Sequence, residues 1–115
     1  MNRDESLLNY IKNEILVIKR STITLDQNSF LANDEKQRAV CMTLINIGEA
    51  VKQLSAQVKL KYKYVDWKGA SSFRDVAAHK YGSLRMDDVW DVIENDLTKF
   101  ENQIKEIQEI ISKKN

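Results

Sequence analysis

The stretch "AVCMTLINIGEAVKQLSAQV", residues 39–58, decides the fold. Its apolar positions Val40, Leu44, Ile47, Val51, Leu54 and Val58 are spaced alternately by four and by three. That alternation follows the turn of an α-helix and gathers all six side chains on one face; a half-buried strand would alternate at every second residue. Gly48 lies on an adjoining face. A glycine inside a helix costs about 1 kcal/mol relative to alanine, so its presence predicts the close approach of a second helix. Upstream, Asn33 or Asp34 is expected to cap this helix, with Glu35 in the first turn where the helix dipole favours an acid.

The flanking segments read the same way. Leu8, Ile11, Ile15 and Ile18 mark a first helix over about residues 4–20. "STITLDQNSFLAND" (21–34) is a connection with a helical turn around Ser29 to Leu31. "KLKYKYVD" (59–66) alternates basic with apolar residues; a lone strand would have no partner, so it is read as the frayed end of the second helix and a connection. Asp66 is expected to cap a third helix, "WKGASSFRDVAAHKY", with Gly82 as a left-handed glycine ending it. A fourth helix carries Ile93, Leu97, Phe100, Ile104, Ile107 and Ile111. The chain has no proline and three glycines, hence few and long elements. The expected fold is all-α, an up-and-down bundle of four to five helices forming a single domain over residues 1–115.

Composition narrows the function classes. Hydrophobic residues make up 43% and charged residues 30%, the balance of a globular protein. With one cysteine, Cys41, and one histidine, His79, there is no internal disulfide and no Cys/His metal set, and no metal or cofactor is expected. Cys41 sits in an apolar run and reads as a small core residue. "MNRDESLLNY" has acids where a signal peptide needs basic residues, and no apolar run reaches membrane-spanning length, so a reducing cytoplasm is expected. Net charge is +1, unevenly placed: residues 52–85 hold eight basic and two acidic side chains, residues 86–101 one lysine and six acids. A polyanion is a plausible ligand of the basic segment, although solvated basic surface is the commoner explanation for such a run.

The basic segment contains "FRDVAAHKYG" (73–82). Asp75 and His79, four apart, share a helix face, so the carboxylate is expected to hold the imidazole. Arg74 and His79 are five apart, about 140° around the axis. On spacing alone this is either a capped helix with surface side chains or a phosphodiester-cleaving site. For the second, an arginine fork suits a phosphate and histidine suits proton transfer near neutral pH. Attack by an RNA 2′-hydroxyl on its own phosphate needs one group to take a proton and another to give one. A single histidine per chain makes a symmetric dimer its natural setting. Lys80 and Arg85 flank the motif as phosphate contacts or as solvated charge. Tyr62, Tyr64 and Trp67 among lysines are a base-stacking surface or core packing. Trp90, at helical spacing, belongs to the core.

Four stretches together resemble the HEPN family, specifically its HepT-like toxins: "RDVAAHKY" in the R-x4-H-x-Y arrangement, "INIGEAVKQLS" (45–55), the tryptophan of "VDWKGASSFRD", and "DDVWDVIENDL" (87–97). The resemblance spans nearly the whole chain. It implies a helical bundle that forms a homodimer, with the motifs of both copies in one cleft, and a metal-independent endoribonuclease of a type II/VII-like toxin–antitoxin pair. It also implies a nucleotidyltransferase (MNT) antitoxin as partner, which in some systems attaches AMP to the motif tyrosine. Carried across, Arg74 and His79 are catalytic, Asp75 occupies the supporting polar position, and Tyr81 is the modified residue or an RNA contact. The chain departs from the pattern at Arg85, where relatives tend to have an acid that caps the next helix; Ser83 or Asp87 is expected to cap instead. "SSFRDVAAHK" is also smaller and more polar than is usual there. The rival readings are a non-catalytic helical subunit that binds nucleotide or substrate for a nucleotidyltransferase, and a dimerising scaffold.

Overall fold

The computed structural model describes residues 2–114, and among these every regular element is helical. They are α1 (Arg3–Thr22), α2 (Gln27–Leu31), α3 (Asp34–Gln53), α4 (Ala56–Lys61), α5 (Trp67–His79), a 3-10 turn (Tyr81–Ser83), α6 (Met86–Asp91), a π turn (Val92–Asp96) and α7 (Leu97–Lys114). α6, the π turn and α7 abut without a break and form one rod, so the bundle has about six helices. Among the described residues no helix is long and apolar enough to cross a membrane.

α3 is the central element, packed between α1 and α5, while α7 covers the other side of α1. Leu8, Ile11, Ile15 and Ile18 of α1 are fully buried against Val40, Ile47 and Val51 of α3 and Ile104 and Ile107 of α7. Phe30 of α2 is fully buried, its ring 5.3 Å from that of Trp90. Polar groups are anchored where the helices begin. Asn2 accepts from the Glu5 amide at 2.8 Å. Asp26 and Ser29 form a reciprocal capping box. Asn33, rather than Asp34, caps α3 by accepting from the Lys36 amide at 3.0 Å, which leaves Asp34 to pair with Arg38. Glu101 is buried on α7, where it accepts from Lys19 and lies 3.5 Å from Lys105. Burial alone would raise its carboxyl pKa, but the two lysines outweigh burial and hold it below the ordinary value.

The structure corrects three expectations. The predicted second helix is interrupted: Leu54 is extended, with ψ 145°, and Ser55 starts a separate helix, α4. Serine competes with the helix for its own hydrogen bonds and favours a cap. Here its hydroxyl accepts from the Val58 amide, while its N–H and hydroxyl donate to the Asp4 carboxylate at 2.9 and 2.7 Å. Leu54 and Val58 stay buried on either side of the break, so the four–three pattern survives it. Next, no glycine among the described residues has positive φ. Gly82 lies in the 3-10 turn, through which the chain leaves α5 by a Ser83 N–H to Lys80 carbonyl bond of 2.8 Å. Finally, neither Ser83 nor Asp87 caps the rod: Arg85 holds the capping position without a side-chain bond. Asp87 and Asp88 instead place negative charge in the first turn, and Asp87 accepts from the Asp88 amide at 3.1 Å.

Candidate active site

The close approach predicted at Gly48 is the contact between α3 and α5. A Cβ there would lie 2.4 Å from Arg74 Cβ and 2.7 Å from the Ala70 carbonyl oxygen. Neither neighbour is the free end of a side chain, so only glycine fits. The start of α5 is fixed independently. Asp66 accepts from the Gly69 amide at 2.9 Å, and the buried Trp67 indole donates to the Tyr62 carbonyl at 3.0 Å and meets Phe100 edge-on. The stem of Arg74 is thereby pinned to the middle of α3.

Its charged end enters a four-membered cluster. Arg74 Nε lies 2.6 Å from Glu49 Oε2, but out of line with its N–H, so the contact is ionic and Nε has no hydrogen-bond partner. Arg74 Nη1 donates to Asp75 Oδ1 at 3.2 Å, and Lys52 Nζ donates to the same oxygen at 2.5 Å. The hydrogen bond from Lys52 is the largest influence and holds the Asp75 carboxyl below the ordinary value; desolvation opposes it, and the weaker hydrogen bond from Arg74 adds to it. The Asp75 carboxylate, expected to hold His79, makes no hydrogen bond to the imidazole here, and its Oδ1 receives Lys52 and Arg74. What the imidazole meets is the backbone of the same residue: His79 Nδ1 lies 2.9 Å from the Asp75 carbonyl oxygen. A carbonyl can only accept, so Nδ1 carries the hydrogen and the neutral ring keeps its lone pair on Nε2.

His79 and Lys80 are exposed at the end of α5. Tyr81 is half-buried beneath Arg38, whose guanidinium carbon lies 5.2 Å from the ring centre. Partial burial, helped by the neighbouring Cys41, raises the Tyr81 hydroxyl pKa despite the opposing pull of Arg38. Arg85 is exposed but folds onto Asp87, at 2.9 and 3.3 Å, so its charge is engaged within the chain. Arg74 and Asp75 are thus brought into contact, whereas no hydrogen bond or ion pair joins Arg74 to His79 or Tyr81 within one protomer. Of the three aromatics among the lysines, Tyr62 and Trp67 are buried and only Tyr64 is exposed, so the stacking surface reduces to one ring. Trp90 is buried as expected, and so is Cys41, whose thiol is pushed up to about 11 by burial. Among the described residues no group of three or more His, Cys, Asp or Glu side chains is placed to hold a metal ion. A groove of about 330 Å³ opens between α3, α5 and the π turn, lined by Leu44, Phe73, Val92 and Phe100 among others; Arg74, His79 and Tyr81 do not line it.

Glu49, Lys52 and Arg38 escaped the sequence reading. The signal for the first was present: Glu49 adjoins the glycine that admits α5, and Lys52 follows it by three residues on the same side of the helix.

Residues 11–107 match the family model described as "Ribonuclease HepT-like". Among named relatives, "Putative RNase MJ0127" of Methanocaldococcus jannaschii is 42% identical over 89 residues, 77% of this chain and 69% of that protein. "Putative RNase TTE0752" of Caldanaerobacter subterraneus subsp. tengcongensis is 33% identical over 68% of this chain and 70% of its own length. "Gamma-glutamylcyclotransferase and putative RNase MJ0434" of M. jannaschii is 30% identical over 98% of this chain, which spans only 51% of that protein. No solved structure gave a significant match. The motif around His79 and the helical frame that carries it lie within the matched span, and the chain belongs to the HepT-like ribonuclease family.

Proposed function

We propose that this chain is a metal-independent endoribonuclease, the toxin of a toxin–antitoxin pair, acting as a homodimer. The observation that carries the reading is the exposed His79 ring, whose Nδ1 is spent on the Asp75 carbonyl and whose Nε2 is left as a base. Membership of the HepT-like family supports the ribonuclease assignment. In this reading Nε2 takes the proton from an RNA 2′-hydroxyl as that oxygen attacks the adjacent phosphorus. The 5′-oxygen leaves with a proton, and a 2′,3′-cyclic phosphate remains. The proton donor is His79 of a second copy, because each chain has one imidazole. Arg74 binds the phosphate and offsets the charge that grows on it. Lys80, with no ion pair among the described residues, guides the backbone; Arg85, already paired with Asp87, contributes little.

Tyr81 is the regulatory residue, modified by a nucleotidyltransferase (MNT) antitoxin. Its oxygen would attack the α-phosphorus of ATP, pyrophosphate would leave, and the phenolic proton would pass to a base of the partner. The raised pKa of the hydroxyl means that the partner must supply that base. The competing reading, a non-catalytic nucleotide-binding subunit, draws on one observation: within the protomer Arg74 is engaged by Glu49 and Asp75 and does not touch His79.

The test is cleavage of RNA in EDTA by the purified, partner-free chain beside His79→Ala, with intact mass recorded to show that Tyr81 is unmodified. Cleavage that disappears with His79 and leaves 2′,3′-cyclic ends is the expected result. An unmodified, folded dimer that leaves total RNA intact would overturn the enzyme in favour of the binding subunit.

A further inference from the structure

A guanidinium offers a phosphate two forks, Nε with Nη2 and Nη1 with Nη2. In Arg74 one prong of each fork already faces a carboxylate: Glu49 lies 2.6 Å from Nε and Asp75 lies 3.2 Å from Nη1. Nη2 makes no hydrogen bond with any described residue. A phosphate taking both prongs of either fork must therefore displace one acid.

The two acids are not equally held. Asp75 is shared between Arg74 and Lys52, which approaches its Oδ1 at 2.5 Å. Among the described residues Glu49 has Arg74 as its one ion-pair partner, approaches Nε off the N–H direction, and keeps a side chain 46% exposed. Removing Asp75 would strand Lys52 as well, whereas Glu49 can swing into water and lose one contact. The arginine stem cannot follow it, because Arg74 Cβ is locked against α3 at Gly48.

We propose that Glu49 is an internal occupant of the Nε–Nη2 fork. It positions Arg74 while the site is empty and yields that fork to a phosphodiester of the RNA backbone. This rests on the reading of Arg74 as the phosphate-binding group. Glu49 then acts against binding and leaves the chemical step untouched. It also screens the site, since any anion must outcompete a carboxylate already seated, and a phosphate held in place by neighbouring phosphates does so better than a free one.

The experiment measures binding of a fluorescein-labelled 2′-fluoro RNA oligonucleotide, which lacks the attacking hydroxyl, to the full chain by anisotropy. Glu49→Gln should bind about two- to fivefold tighter, the range of an exposed ion pair. Where the wild type cleaves RNA, KM should fall by a similar factor at unchanged kcat. Glu109→Gln, on the exposed face of α7, controls for net charge, and Glu49→Ala with a helical circular dichroism spectrum controls for folding. In an Arg74→Gln background the gain from Glu49→Gln should vanish. An equal gain from Glu109→Gln, a gain that persists without Arg74, or unchanged or weaker binding by Glu49→Gln would each overturn the proposal. A chain that binds in this pattern yet cleaves nothing would retain the fork and lose the ribonuclease.

Discussion

At Arg74, α5 lies so close to α3 that one added methyl group at position 48 would collide with it, and Glu49, Lys52, Arg74 and Asp75 interlock across the seam. Five residues on, the exposed His79 ring makes one hydrogen bond, to the carbonyl of its own helix. The arginine end is held by tertiary packing and paired charge, the histidine end by local backbone geometry alone. A group that must receive a phosphate at a fixed place gains from a locked stem. A group that must move protons gains from exposure and a settled tautomer. Such a division also predicts how each end fails.

The largest effect is expected from Gly48→Ala. Overpacking a seam bounded by backbone and a pinned Cβ should destabilise by about 1–3 kcal/mol, read from the denaturant midpoint, and should displace α5 enough to impair binding of RNA. A variant as stable as the wild type would mean that the seam is more compliant than its 2.4 Å approach implies. Asp75→Asn should matter less, and in a pH-dependent way. The folded carboxyl titrates below its ordinary value, so its contribution is present above the unfolded pKa and is lost as pH falls through the folded one. The variant should be slightly less stable than the wild type at neutral pH and should converge with it in acid. A gap that stays constant from neutral pH into acid, with no convergence as the carboxyl takes up its proton, would assign the loss to packing. His79→Ala should abolish RNA cleavage yet leave the unfolding free energy within about 0.5 kcal/mol of the wild type. A larger loss would tie the histidine end into the core and dissolve the contrast.

The sequence made the arginine end partly legible and the histidine end only by analogy. Gly48 pointed to the seam because an interior glycine is costly and needs a reason. It could not show which of the flanking charges meet across that seam, since Glu49 and Lys52 sit on the solvent side where apolar periodicity carries no information. The Asp75–His79 spacing places both on one helix, but the carboxylate meets Lys52 of α3 and the adjacent Arg74, and it is the Asp75 carbonyl that meets the ring. The break at Ser55 was hidden for a different reason: Leu54 and Val58 remain buried on both sides, so the four–three rhythm runs straight through an interruption made by a contact with Asp4, 51 residues away in sequence. The all-α bundle and its core were legible because burial alone determines them.

The π turn at Val92–Asp96 hides in the same rhythm. Such a turn accommodates one residue more than an α-helix would, which sets the two halves of the rod out of phase with each other. Through that offset α6 addresses α2, with Trp90 on Phe30, while α7 addresses α1 with Ile104 and Ile107. A chain one residue shorter here could close into an unbroken helix, but one half would then swing by about 100° and lose either Phe30 or α1. The inserted residue works as a gear offset: it lets a single rod mesh with two helices that present their apolar faces at different angles.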